Sequence, residues 1–172
     1  MAQSITKKLV AKYTRFMNCP YNLMITAHRE ITELDKQIIE AVISAEMKNL
    51  NLEKIYFGGA VGGDSFALET ALKFKAVSSN VKLIVVLPKT IKDQRSDLRE
   101  LTEKADDIIE LKLSRKIHAD IWWEHDKWMV INSQKCIAFW DEIPNGGTYN
   151  AMKYAERSQK TVCCVKITGR NK

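Results

Sequence analysis

At 172 residues, with 45% hydrophobic and 28% charged residues, the chain has the size and composition of one α/β domain able to bury its own core. It contains no low-complexity run, no internal repeat and no apolar stretch of membrane-spanning length. Its first residues lack the features of a secretory leader, so a cytoplasmic protein with no membrane partner is expected. The net charge of +6 is unevenly spread: Lys7, Lys8, Lys12 and Arg15 fall within the first seventeen residues without an acid among them. The solvated face of a helix accounts for that pattern, and contact with a polyanion is its alternative.

Residues 3 to 17 suit an amphipathic helix, and residues 1 to 20 are taken as this helix and its connector, ahead of one domain over 21 to 172. From there the apolar period switches repeatedly between strand and helix. "YNLMITA" (21 to 27) reads as a strand, and residues 30 to 49 as a helix whose stripe is Ile31, Leu34, Ile38, Ile39, Val42 and Ile43. A strand at 54 to 59 and a helix at 64 to 77 repeat the unit, and "VKLIVVLP" (81 to 88) is the β-branched run of a strand buried on both faces. A helix at 91 to 105, a short strand at 107 to 113, a helix at 119 to 133, a strand at 135 to 141, a helix at 148 to 159 and a strand at 161 to 167 follow. The alternation predicts a mostly parallel sheet of about six strands with helices on both faces. Cys136, Cys163 and Cys164 lie in strand-like runs, Cys19 precedes a proline, and none has zinc-site spacing, so reduced thiols are expected.

Ligands of such sheets sit beyond the carboxyl ends of the strands. Six of the seven glycines fall in two of those loops. Gly58, Gly59, Gly62 and Gly63 join a strand to a helix, where backbone amides and the helix N-terminus suit a phosphate. Asp64 fits an N-cap there, and equally a bond to a ribose hydroxyl. The spacing matches neither the dinucleotide fingerprint nor the P-loop. In the second loop, from Trp140 through Asp141 and Glu142 to Gly146, Gly147 and Thr148, Thr148 is expected to cap the next helix and the amides to form a second anion cradle. Thr26, His28 and Arg29 close the first strand, with Arg29 suited to phosphate and His28 to a base or ribose.

In the run from Trp122 to Trp128, Trp122 and Trp128 are expected to pack on the sheet. His118, Asp120, Glu124, His125 and Asp126 lack metal-site spacing, so no metal is expected, and no serine or cysteine sits as a nucleophile.

Taken together, "ITAHRE", "GGAVGGDSFALETA" and "WEHDKWMVINSQKCIAFWDEIPNGGTYNAMKYA" resemble the ordered motifs "TGxR", "GGAxGxDxxA" and "RNxxMVDxxDxxIAFWxGxxGGTxxxxxYA" of the SLOG superfamily. This is the Rossmann-like group that holds DprA and the LOG phosphoribohydrolases, and the chain looks most like its small YspA and YpsA-like members. The resemblance implies a nucleotide-like ligand, such as an NAD or ADP-ribose derivative, and a homodimer. It places the ligand against Gly58, Gly59, Gly62, Gly63, Asp64, Gly146, Gly147 and Thr148, with Arg29 nearby. Ala27 stands where the family has glycine, and His125 and Asp126 stand where an Arg-Asn pair is common.

The LOG enzymes carry a "PGGxGTxxE" loop whose glutamate acts in N-glycoside cleavage. Here the loop reads Pro144-Asn145-Gly146-Gly147-Thr148-Tyr149-Asn150-Ala151, without an acid. Binding or sensing of a nucleotide-derived ligand is therefore the expected function. A nucleoside-phosphate N-glycosidase or related nucleotide-processing enzyme, using Asp64, Asp141 or Glu142, is the alternative. DprA-like single-stranded DNA binding through the basic N-terminal helix is a further one.

Overall fold

The computed structural model describes residues 19–78, 80–114 and 118–169. The expected N-terminal helix, its basic face and its apolar surface lie outside them. The described chain runs β1 (Tyr21–Ala27), α1 (Glu33–Glu46), β2 (Leu52–Phe57), α2 (Gly63–Ser78), β3 (Lys82–Leu87), a 3-10 turn (Ile91–Asp93), α3 (Ser96–Thr102), β4 (Asp107–Glu110), α4 (His118–Ile131), β5 (Lys135–Trp140), α5 (Gly147–Arg157) and β6 (Thr161–Lys166). All six strands are parallel in the order β4-β3-β2-β1-β5-β6, the expected fold class. No helix among the described residues is long and apolar enough to cross a membrane.

Right-handed crossovers place a helix on one face while the chain walks one way along the sheet, and on the other face when it walks back. From β1 to β4 the walk buries α1 and α2: Ile39, Val42, Ile43, Ala67, Leu68 and Ala71 pack on Leu23, Ile25, Ile55, Phe57, Leu83 and Val85. After β4 the direction reverses. Met129 and Val130 of α4 and Ala151 and Ala155 of α5 then cover Met24, Tyr56, Ile84, Val86 and Cys136 on the opposite face. Each large apolar side chain so enclosed contributes on the order of 1.5–3 kcal/mol.

The expected helix at 30 to 49 is shorter because Thr32 caps it. Its side chain accepts from the Asp35 amide at 3.2 Å, and the Asp35 carboxylate returns a bond to the Thr32 amide at 2.8 Å. The box also places an acid on the buried face: Asp35 is buried, with its carboxylate accepting the Thr168 amide at 2.6 Å and the Gly169 amide at 3.2 Å. Leu34, expected inside, is 59% exposed. The expected helix at 91 to 105 divides because Gln94 and Arg95 are extended, and the strand at 107 to 113 stops early because Lys112 has φ of 51°.

Candidate functional site

β1 and β5 are hydrogen-bonded neighbours, but the chain leaves them toward opposite faces of the sheet. That divergence opens a crevice beyond their carboxyl ends. A cleft of about 510 Å³ lies there, bounded by Thr26, His28 and Arg29 after β1, by Gly58 and Asp64 at α2, by α4, and by Gly146, Gly147 and Thr148 at α5. Gly59, Gly62, Gly63, Trp140, Asp141 and Glu142 are not part of this lining.

The first glycine loop is occupied by the chain itself. Helix α2 starts at Gly63, so Asp64 lies inside its first turn. Its carboxylate turns back to accept the amide of Ala60 at 3.0 Å, together with those of Gly58 and Gly59. The amides expected to receive a phosphate thus converge on a buried carboxylate. Gly62 and Gly63 serve close packing: a Cβ on Gly62 (φ of 95°) would stand 1.9 Å from the Arg29 carbonyl oxygen. The Gly63 amide donates to the His28 carbonyl at 2.8 Å. These two glycines press the start of α2 against the turn after β1 and fix His28 and Arg29 at the cleft.

Burial pushes the Asp64 carboxyl up to about 6, against the opposing pull of its amide bonds and of His125. His125 is the residue that sequence reasoning undervalued. It is buried on α4, its Nε2 donating to the Val86 carbonyl at 2.9 Å and its Nδ1 standing 3.1 Å from Asp126 Oδ1. Burial alone would lower its pKa, but the bond and charge of Asp126, the Val86 carbonyl and the charge of Asp64 together raise it. A Cβ on Gly58 would lie 3.0 Å from His125 Cε1, so the ring packs on the glycine loop. An imidazole with raised proton affinity, partnered by the Asp126 carboxylate, thus occupies the positions where the resemblance led one to expect an arginine and an asparagine. The signal was present as a histidine on the apolar side of α4, three residues after Trp122, whose ring meets it edge-on at 5.7 Å.

The second loop is braced from outside. Trp140 donates from Nε1 to the Ile143 carbonyl at 2.9 Å and stacks on Tyr149 with ring centroids 5.6 Å apart. Asp141 is buried, accepts the Ile143 amide at 3.1 Å and lies 2.8 Å from His28 Nε2. Glu142 pairs with Lys166. The cap of α5 is Gly146, with φ of 92° and no side-chain bond, and Thr148 is buried one residue inside the helix rather than at the cap. Amides at a helix start lack intrahelical partners. Around Gly146 and Gly147 an added Cβ would meet nothing within 4 Å. Arg29 is exposed on the β1 side of the same cleft. No group of three or more metal-ligating side chains occurs among the described residues.

Comparison with known proteins agrees with this architecture. The structure of DNA processing protein A (DprA) from Streptococcus pneumoniae superimposes with a TM-score of 0.66 at 15% identity, over 85% of this chain and 50% of that one. The chain thus spans about half the length of that protein, and the likeness is one of fold. No curated protein matches it. The YspA SLOG family matches residues 20–168, nearly the whole described chain, and the protein is therefore a member of the YspA SLOG family.

Proposed function

We propose that the cleft binds a nucleotide-derived ligand, of the nucleoside phosphate, ADP-ribose or NAD type, with a phosphate against Gly146, Gly147 and Thr148 and Arg29 closing on it. The observation that carries this reading is the contrast between the two glycine loops. The amides of Gly58, Gly59 and Ala60 are taken up by Asp64, whereas Gly146 and Gly147 border open space at the start of an eleven-residue helix. A helix start offers unpaired amides and a partial positive charge, and Arg29 adds a bidentate donor. Family membership and the DprA-like fold support a nucleotide-related or DNA-related role in general.

Binding without bond cleavage is the better supported form. Of the candidate acids, Asp64 is held by three amides, Asp141 by His28 and the Ile143 amide, and Glu142 by Lys166. None presents an unengaged carboxylate to the cleft, as N-glycoside hydrolysis would need. Thermal unfolding with AMP, ADP-ribose and NAD tests the reading. A ligand at a hundred times its Kd stabilises by about 2.7 kcal/mol, so melting should rise with concentration in the parent chain. The rise should be lost in Arg29→Ala and Gly147→Val. Equal shifts in parent and variants would remove the phosphate site. Released base in the same samples would establish the hydrolytic alternative instead.

A further inference from the structure

A second concavity, of about 400 Å³, lies outside the cleft between α4 and α5. Trp123 and Asn150 line both spaces, so the two adjoin. On α5, Asn150, Lys153, Tyr154 and Arg157 recur at intervals of three and four residues and form one stripe leading away from the phosphate site. The stripe rises about 10 Å from Asn150 to Arg157. Trp123 is 41% exposed, although tryptophan normally encloses most of its surface. It meets Tyr154 with centroids 5.0 Å apart at 70°, an edge contact that braces the rings without covering their faces as a parallel stack would. Lys153 bonds Glu156 at 2.7 Å, while Arg157 has no ion pair among the described residues.

We propose that this groove receives the second nucleotide unit of an extended ligand, its base against Trp123 and its phosphate at Arg157. Aromatic faces beside an arginine are the combination that holds bases joined by phosphates, and stacking tolerates any base. The proposal rests on the phosphate site at Gly146 and Gly147, because the groove adjoins the cleft that holds it. The ligand is therefore a two-base species, whether a free dinucleotide or the end of a single strand.

Titration calorimetry with AMP, NAD and hexathymidylate tests this. NAD or hexathymidylate should bind at least tenfold more tightly than AMP, and Arg157→Ala, an exposed change remote from the core, should erase most of the advantage of hexathymidylate, whose successive phosphates reach along the stripe, while leaving AMP affinity, and that of NAD with its two adjacent phosphates, within threefold. Trp123→Ala should reduce the advantage similarly, and Trp123→Phe should retain part of it. Tighter binding of NAD alone identifies a free dinucleotide, and of hexathymidylate alone a strand. AMP binding with no gain from either longer probe overturns the groove while sparing the cleft. No binding by any probe overturns both.

Discussion

His125 and Asp64 are both buried beside the first glycine loop, and both have proton affinities raised by their surroundings. A group whose folded pKa exceeds its unfolded value gives stability that is complete below the unfolded value and lost as pH rises through the folded one. For Asp64 that window runs from 3.8 to about 6, and for His125 it opens at 6.5 and extends upward. The Asp64 shift corresponds to roughly 3 kcal/mol. The carboxylates of Asp35 and Asp106, held below the usual range, lose stabilisation only at more acidic pH. Urea unfolding should therefore give a stability that declines from pH 5 to pH 8, and His125→Gln should flatten the part above pH 6.5. A flat parent profile, or an unaltered slope in the variant, would refute the buried pair. This pair was illegible in the sequence because its members are sixty-one positions apart and meet only once α4 has crossed the sheet. Arg29, His28 and Asp64 were legible as residues of the segments that follow strands; their partners were not.

The two glycine loops look alike as strings, and their difference appears only when the helices they start are placed. Helix α2 is pulled onto the β1 turn, so Gly62 has no room for a side chain, whereas α5 begins at the open end of the crevice. Gly62→Ala should cost at least 1–3 kcal/mol, from strain at positive φ and from collision with the Arg29 carbonyl. Gly147→Ala should leave urea stability within about 0.5 kcal/mol. Loss of ligand response in a Gly62 variant would thus report a displaced Arg29, while the same loss in Gly147→Val with unaltered stability would report the site. Equal stability of Gly62→Ala and the parent would contradict the packing role. Five of the six strands were readable to within a residue or two because buried parallel strands are continuous apolar runs, whereas the half-exposed edge strand β4 ends three residues early. Helix limits were less so, since the cap formed by Thr32 with Asp35 starts the helix later and buries an acid whose partners, the Thr168 and Gly169 amides, lie far along the chain.

Across the whole molecule, polar chemistry is divided between the two ends of the sheet. The carboxyl ends carry the cleft, and the amino ends carry a closed network of Tyr21, Glu46 and Lys135. Lys135 and Glu46 form a fully buried ion pair; the Tyr21 hydroxyl donates to Glu46 Oε2 at 2.8 Å and accepts from Asn49 at 3.0 Å. These residues begin β1, end α1 and begin β5, so the pair clamps the strands that diverge at the crevice to the helix crossing over them. Removing one member of a buried pair leaves the other charged and unsolvated, which typically costs 3–5 kcal/mol, whereas replacing both with apolar groups of similar volume is often neutral. Lys135→Met alone should accordingly lower the unfolding free energy by about that amount. The double variant Lys135→Met with Glu46→Leu should recover most of it, and Tyr21→Phe should cost only about 1–2 kcal/mol. Because the network sits at the opposite end from Gly146 and Arg29, the double variant should keep the parent's ligand-induced melting shift. An equally unstable double variant would show that the pair's geometry, rather than its uncompensated charge, holds the strands together. A lost ligand response at recovered stability would show that the clamp sets the spacing of β1 and β5 at the cleft.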